Sequence, residues 1–527
     1  MWNRGWRDRV WEQLDRRWDI IVIGGGITGA GILREAARAG LRVLLVEASD
    51  FAAGTSSRSG KLVHGGLRYL KNAQIKLTVE SVSERERLQR EGRGLINSMG
   101  FILANFSDDR PPMWVFGAGL VAYDMLALKW AHRQYGPRGI RNLCPQLTGP
   151  DLVGGFRYFD AQTDDARLVL RVIREAVRAG GMALNYAHVE QLLFDQAGQV
   201  RGVVVRDQGP DGRDRTAEVQ ATVVINATGA WADELRIKVG GQERLRQLRG
   251  GHVIFPWARL PLSRAVTFLH PVDRRALYAF PWEGVTLAGT TDVDHGKGIE
   301  IDPRISGAEI DYILTGLARV FPDAGLTRQD IQATFAGVRP VINTGNPDPS
   351  KESREFMLWN ENGLLTVAGG KLTTFRLMAH DALRAVRPRL PGAPQFDAHM
   401  RMLDPVPTDL QVDSLSYAAR LRLLGRYGAE ASDLQAAAEP GEMMSIASSE
   451  SLWAELRWAA RAEGVTHLDD LLLRRVRLGL VLPQGGQAWM ERIRAIVQPE
   501  LGWDDKRWES EFTAYTRLWH TSYSLPV

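Results

Sequence analysis

The stretch SSRSGKLVHGGLRYL, Ser56 to Leu70, sets three serines beside Arg58, Lys61, His64 and Arg68 and includes the pair Gly65–Gly66. Four hydrogen-bond donors next to residues without a Cβ suit an anionic group that the backbone must approach closely. A nucleotide phosphate is such a group, although a solvated loop has the same composition. A second constellation is WDIIVIGGGITGAGILREAARAGLRVLLVEASD, where Gly24, Gly26 and Gly29 give G-x-G-x-x-G between an apolar strand, Ile20 to Ile23, and a helix. A pyrophosphate fits the amides at such a helix start. Glu47, at the end of the next apolar strand, Val43 to Val46, is placed for ribose hydroxyls. The pattern marks a dinucleotide site without choosing between NAD and FAD.

Two later turns bear on that choice. ATVVINATGAWADEL runs from a strand, Thr222 to Ile225, into Thr228, Gly229, Ala230 and Trp231, and GLLTVAGGKLTTFR from a strand, Leu364 to Val367, into Gly369, Gly370 and Lys371. An open α/β sheet binds its ligand beyond the carboxyl ends of its strands. FAD needs such additional turns, because its isoalloxazine extends well past the first one. His252, in RGGHVIF, has the side chain whose ordinary pKa near 6.5 suits proton removal; it reads equally as a core histidine beside an apolar strand.

These residues require elements to hold them. A chain of 527 residues exceeds one ordinary core, so two or three domains are expected. An apolar fraction of 44% and a charged fraction of 24% are those of a folded globular protein. The net charge of +4, without a run of like charges, gives no reason to expect nucleic acid as a partner. Among the cations 57 are Arg and only nine Lys, which makes Lys61 and Lys371 more informative than their type usually is. One cysteine, Cys144, excludes an internal disulfide, and no Cys/His spacing indicates a metal. The chemistry must come from side chains or an organic cofactor.

The longest apolar run, Met113 to Leu128, is sixteen residues and contains Asp124, too short to span a membrane. The N-terminus does not read as a secretory signal, so a cytosolic location at a membrane face is expected. On a helical wheel Trp2, Trp6, Val10, Trp11, Leu14 and Trp18 share one half, so residues 1–17 read as an amphipathic helix for a membrane interface. The alternative is that its Trp face packs on the protein. ARLVLRVIREAVRAGGMALN is helix-periodic and QVRGVVVRD reads as a strand. After the Pro-rich RPRLPGAPQFD, Thr466 is expected to cap the helix HLDDLLLRRVRLGL with Asp469 in the capping-box position.

Taken in order, GGGITGAG, GTSSRSGKLVHGGLRYL, YFDAQTDDARLV, NATGAWAD, GTTDVD, GVRP and GGKLTTFR resemble the FAD-dependent glycerol-3-phosphate dehydrogenases, from about residue 18 into the C-terminal region. The resemblance implies an α/β fold. Its FAD-binding Rossmann-like domain (glutathione-reductase/D-amino-acid-oxidase type), residues 18–70, 155–240 and 335–385, is interleaved with an α+β substrate-binding domain, 71–154 and 241–334. An α-helical C-terminal domain, 400–527, follows. It implies FAD held by Gly24, Gly26, Ile27, Thr28, Gly29, Glu47, Thr55, Ser56, Ser57, Lys61, Leu62, His64, Gly65, Gly66, Val189, Thr228, Gly229, Trp231, Gly369, Gly370, Leu372 and Thr373. It further implies a substrate phosphate held by Arg68, Arg275, Arg339 and Lys371 with Tyr69 nearby, and His252 or Arg339 at the reacting hydroxyl.

The expected reaction is oxidation of sn-glycerol 3-phosphate to dihydroxyacetone phosphate, with electrons leaving FAD for a membrane quinone; a homodimer is compatible with it. An oxidase that returns electrons to oxygen, and a flavin-binding partner protein without catalysis, are the competing readings. Two positions depart from the pattern. Gly60 stands where a small hydroxyl residue is usual, and Pro271 where a substrate-side amide is.

Overall fold

The computed structural model describes residues 2–66, 75–126, 130–210, 214–296, 298–300, 302–348, 352–407 and 409–526. The first of two large sheets runs in the order Phe356–Glu361, Leu364–Gly369, Thr216–Asn226, Trp18–Ile23, Val43–Val46, Met182–Leu184. From Leu364–Gly369 to Met182–Leu184 its neighbours are parallel. Trp18–Ile23 and Val43–Val46 are buried along their whole length, as parallel strands covered on both faces must be, and hence read as unbroken apolar runs. The helices Ile27–Arg38, Asp165–Arg178 and Phe375–Val386 pack together on this sheet. A hairpin, Ala187–Phe194 with Val200–Asp207, extends from Thr216–Asn226.

The second sheet is largely antiparallel. Its order is Val293–Asp294, Leu245–Pro256, Val285–Gly289, Ala276–Trp282, Ala265–Leu269, Ile96–Phe106, Leu152–Thr163, Leu62–Val63; Ala333–Ile342 also pairs with Leu245–Pro256. Three segments expected in the cofactor domain therefore lie here. Leu62–Val63 and Leu152–Thr163 pair with each other, and Ala333–Ile342 runs its whole length against Leu245–Ile254. The strand Leu152–Thr163 runs through the expected boundary at 155, and Ala333–Ile342 through that at 335.

The C-terminal helices are joined to the cofactor sheet by buried ion pairs. Asp50 accepts from Arg474 and Arg475, and Arg167 pairs with Glu463. Around Thr466 the cap is Asp470 instead of the expected Asp469: its carboxylate accepts from the amides of Thr466 (2.8 Å) and His467 (2.9 Å), while Asp469 pairs with Arg474. The turn that follows, Asp470–Arg475, is a π-helix.

The N-terminal segment is not an interfacial helix. Only Trp6–Trp11 is helical, and Trp2, Trp6, Trp11, Leu14 and Trp18 are all buried. The Trp2 ring stacks on Phe51 at 4.9 Å with Arg174 over its other neighbourhood, Trp2 bridges to Glu463, and Trp6 lies against Gly464. Arg7, which intrudes on the apolar half of the wheel, donates to the carbonyls of Asn185 and Tyr186 and pairs with Asp207. The tryptophan face fills the seam between the cofactor sheet and the C-terminal helices, where burial of such large rings contributes most.

Candidate active site

The glycine turns converge because three parallel strands end together. In register, Ile23 faces Asn226 and Asn226 faces Thr366. The turns at Gly24–Gly29, Thr228–Trp231 and Gly369–Thr373 therefore line one edge of the sheet. Gly24 has φ 111°, and a Cβ there would meet the Ala227 carbonyl oxygen at 2.6 Å. A Cβ on Gly29 would strike the Gly24 carbonyl oxygen at 1.9 Å, so the helix can start this close to the strand only with glycine. The N-cap of the helix Ile27–Arg38 is Gly26, which has no side chain to cap it. A glycine-lined helix start fits the diphosphate of FAD.

The other expected cofactor residues surround that edge. The Ser56 hydroxyl accepts from the Ile27 amide (3.0 Å), and the Glu47 carboxylate accepts from Gly25 (2.6 Å) and Ser49 (2.8 Å), tying the second strand to the first turn. Val189 lies in the strand whose first residue, Ala187, donates to the Glu47 carbonyl. Trp231 lies against Gly54, next to Thr55, whose hydroxyl donates to the Val338 carbonyl. Thr228 is held by Asn226. Gly229, Gly369 and Gly370 have φ of 62°, 79° and 74°. The Thr373 hydroxyl, one residue beyond Leu372, donates to the His64 carbonyl (3.3 Å), which joins the third turn to the opening stretch.

Within that stretch the structure divides the cations. Arg58 is buried and taken up by Asp302 and the Tyr523 hydroxyl, so it serves the fold and does not face a ligand. Lys61 is fully buried; its ammonium donates to both oxygens of Asp165 (2.8 Å each) and the Ser57 carbonyl (2.5 Å), and lies 4.7 Å from the Phe335 ring. Burial, followed by the field of Arg477, brings its pKa down to about 7. Leu62 pairs with Gln162, the Gly65 amide donates to Asp160 (3.1 Å), and Gly66 has φ 78°. Arg68 and Tyr69 lie outside the described residues.

His252 belongs to the second sheet, opposite Gly289 on one side and Phe335 on the other. Its ring stacks on Phe335 (4.5 Å), and Nε2 shares a 2.9 Å hydrogen bond with the Tyr278 hydroxyl. Nδ1 is buried and has no hydrogen-bond partner among the described residues. Burial, then Arg339 and Lys61, hold His252 well below the usual histidine range, so it is neutral at pH 7. Gly60 is explained here: a Cβ would lie 2.1 Å from the Tyr278 hydroxyl, which occupies the place where a side-chain hydroxyl was expected.

The expected phosphate ligands gather around Asp292. Arg339 donates to its Oδ1 (3.1 Å) and to Thr290 Oγ1 (2.7 Å), filling the space a Gly250 side chain would need. Arg275 donates to the Asp292 carbonyl (3.0 Å), and Arg354 to Oδ2 (2.9 Å). Lys371 lies in the field of Arg354: burial, then that field, brings its pKa down to about 7. Three arginines meet at Asp292, donors of the kind that suit a phosphate. Pro271 lies instead in the turn from His270 to Arg275, next to exposed Val272. Sequence reasoning missed Arg354, Asp165, Tyr278 and Asp292. The two aspartates lie in motifs already noted, but one arginine among 57 carries no signal of its own.

A model of the family described as FAD dependent oxidoreductase matches residues 19–376, and one described as the C-terminal domain of alpha-glycerophosphate oxidase matches residues 387–508. The chain is 35% identical over 518 residues to "Glycerol-3-phosphate dehydrogenase 2" of Mycobacterium bovis, covering 94% of this chain and 87% of that one. It is 38% identical over 391 residues to "Aerobic glycerol-3-phosphate dehydrogenase" of Bacillus subtilis, covering 73% and 69%. The solved structure of the glycerol-3-phosphate dehydrogenase from Bacillus halodurans complexed with FAD superposes with a TM-score of 0.77 at 28% identity, covering 99% and 98%.

Proposed function

We infer the function from one premise: the chain belongs to the family of FAD-dependent glycerol-3-phosphate dehydrogenases, and is an FAD enzyme of the dehydrogenase/oxidase type. The specific reading is oxidation of sn-glycerol 3-phosphate to dihydroxyacetone phosphate with a membrane quinone as the electron acceptor. The observation that carries it is the group Arg275, Arg339 and Arg354 about Asp292, with Arg339 on the strand that pairs with that of His252.

FAD, when bound, supplies the ring that accepts a hydride from the carbinol carbon. The residues do the rest. Gly24 to Gly29, Ser56 and the turns at Thr228 and Gly369 hold the cofactor along the sheet edge, while the cationic group holds the phosphate and so fixes the reacting carbon. His252, neutral and braced by Tyr278 and Phe335, receives the hydroxyl proton, and Arg339 beside it favours the alkoxide that forms. A peripheral position on the cytoplasmic side of a membrane brings this chemistry to a lipid-soluble acceptor.

The test is an anaerobic titration of the yellow protein with glycerol 3-phosphate. Bleaching is the expected result, and colour restored by quinone faster than by oxygen identifies the acceptor. A flavin that stays oxidised would overturn the substrate, and fast return with oxygen and peroxide would make the enzyme an oxidase.

A further inference from the structure

The helix Gly307–Val320 is tied to both sides of the group at Asp292. Its first turn is fixed to the Arg339 side: Glu309, buried in a capping box with Ser306, accepts from the Thr291 hydroxyl (2.7 Å) and from Arg249 (2.7 Å), and the Thr291 carbonyl accepts from Arg339 (3.3 Å). One turn further on, Tyr312 is fixed to the Arg275 side. Its ring stacks on His270 at 3.7 Å, and its hydroxyl donates to the two oxygens of Asp273 (2.9 and 3.0 Å). His270 Nδ1 accepts from the Val272 amide (3.2 Å), so Nε2 donates to the Tyr312 carbonyl (3.0 Å). The helix can come this close because Gly316 faces the turn, where a Cβ would lie 3.2 Å from His270 and 2.5 Å from Leu277.

The turn from His270 to Arg275 sets a carboxylate beside a cation that a phosphate would need. The Arg275 amide donates to Asp273 Oδ1 (3.1 Å), yet the two side chains do not close on each other. Asp273 Oδ2 stands 3.9 Å from Arg275 Nε, while Asp292 and Asp348 stand 3.8 and 4.0 Å from Nη2. Among the described residues the guanidinium makes one hydrogen bond, from Nη1 to the Asp292 carbonyl (3.0 Å). Its other N–H groups stay open, and an open guanidinium is what grips a phosphate at two points. Coulomb attraction grows as charges approach, so an Asp273 carboxylate free to turn would close onto Arg275. The Tyr312 hydroxyl takes up both of its oxygens instead.

We propose that Tyr312 is a positioning residue for the phosphate: its hydroxyl holds the Asp273 carboxylate off the Arg275 guanidinium, which leaves Arg275 to a phosphate monoester. The inference deepens the reading of the arginine group as the phosphate site and rests on that reading. Tyr312 lies 39 positions from Asp273, so no motif signals it.

The test uses the full FAD-loaded chain, with a water-soluble dye as acceptor for glycerol 3-phosphate and inorganic phosphate as a calorimetric probe. Y312F keeps the stacked ring and removes the hydroxyl. It should raise KM for glycerol 3-phosphate and Kd for inorganic phosphate at least tenfold, with kcat lowered less than threefold, since what is lost is binding common to ground and transition states. D273N has no charge to set against Arg275, so Y312F/D273N should return both constants to within threefold of wild type. A merely structural role for Tyr312 would not be rescued in this way. R275Q should mask Y312F, because the hydroxyl acts only through that guanidinium. Wild-type constants in Y312F, a loss that D273N does not relieve, or losses that multiply in Y312F/R275Q would each overturn the proposal, and the rescue decides even where Y312F melts lower. Phosphate binding with the variants in this order, but no dye reduction by glycerol 3-phosphate, sinks the functional reading alone. A wild-type chain that binds neither anion sinks both.

Discussion

At residue scale Lys371, with its lowered pKa, sets the pH behaviour. Lys371 titrates at about 7, so it is charged below that pH and neutral above it, whereas a phosphate monoester becomes a dianion above about 6. kcat/KM for glycerol 3-phosphate is therefore expected to rise to a maximum near pH 6 to 7 and then fall as the Lys371 charge is lost. Arg keeps its charge at every relevant pH, so K371R should remove the falling limb even where its maximum is lower. No limb near pH 6.5 should come from His252, which is held neutral well below that value. Replacing Arg339 or Arg354 by Ala should lower kcat/KM about a hundredfold, the loss of one charge-assisted contact of about 2.7 kcal/mol, with flavin content intact. Unchanged kinetics in both would move the phosphate site elsewhere. The glycines of the first turn were legible because backbone geometry admits nothing else at Gly24 and Gly29. Arg354 was not, because its role depends on Asp292, 62 positions away.

At the scale of elements, Gly60 links two sheets. It belongs to the opening stretch, yet its missing side chain makes room for Tyr278 of the second sheet, and Tyr278 braces His252. G60A should displace the hydroxyl and Y278F remove it, each slowing kcat about tenfold, since one hydrogen bond contributes roughly 1.4 kcal/mol. The double variant should be no slower than either single one; additive losses would show that the bond does not carry the effect. The parallel strands and their glycine turns were legible as unbroken apolar runs, but membership of Leu62–Val63, Leu152–Thr163 and Ala333–Ile342 was not. Which sheet a strand joins is decided by pairing partners distant in sequence, and a period-two pattern is the same in either.

At the scale of the whole molecule the C-terminal helices carry more than their sequence indicates. Arg477, buried and at φ 65°, donates to the Ser57 carbonyl (2.8 Å) and to Asp165 (3.0 Å), the carboxylate that also holds Lys61. R477M removes one of the two cations, the other being Lys61, that serve both groups, and should lower stability by about 3 kcal/mol and release FAD more readily, read by chemical denaturation and flavin retention. Wild-type values for both would make the contact incidental. The buried Trp2, Trp6 and Trp11 lead to a related expectation: removing residues 2–16 should lower the melting temperature and flavin content. Helical periodicity had marked that apolar face correctly but cannot tell lipid from protein, since both cover it equally well.

The contacts of Arg58 with Tyr523, and of Ser57 with Arg477, also have a bearing on the order of synthesis. A ribosome delivers the Gly24–Gly29 turn and the serines of the opening stretch long before it delivers the side chains that hold them in place. The first sheet can form on the emerging chain, because domains fold as they appear. Two of the side chains that brace the opening stretch, Arg477 and Tyr523, emerge 420 and 465 residues after the positions they hold. A chain cut short before Tyr523 carries every glycine of the fingerprint and still lacks the Tyr523 contact with Arg58.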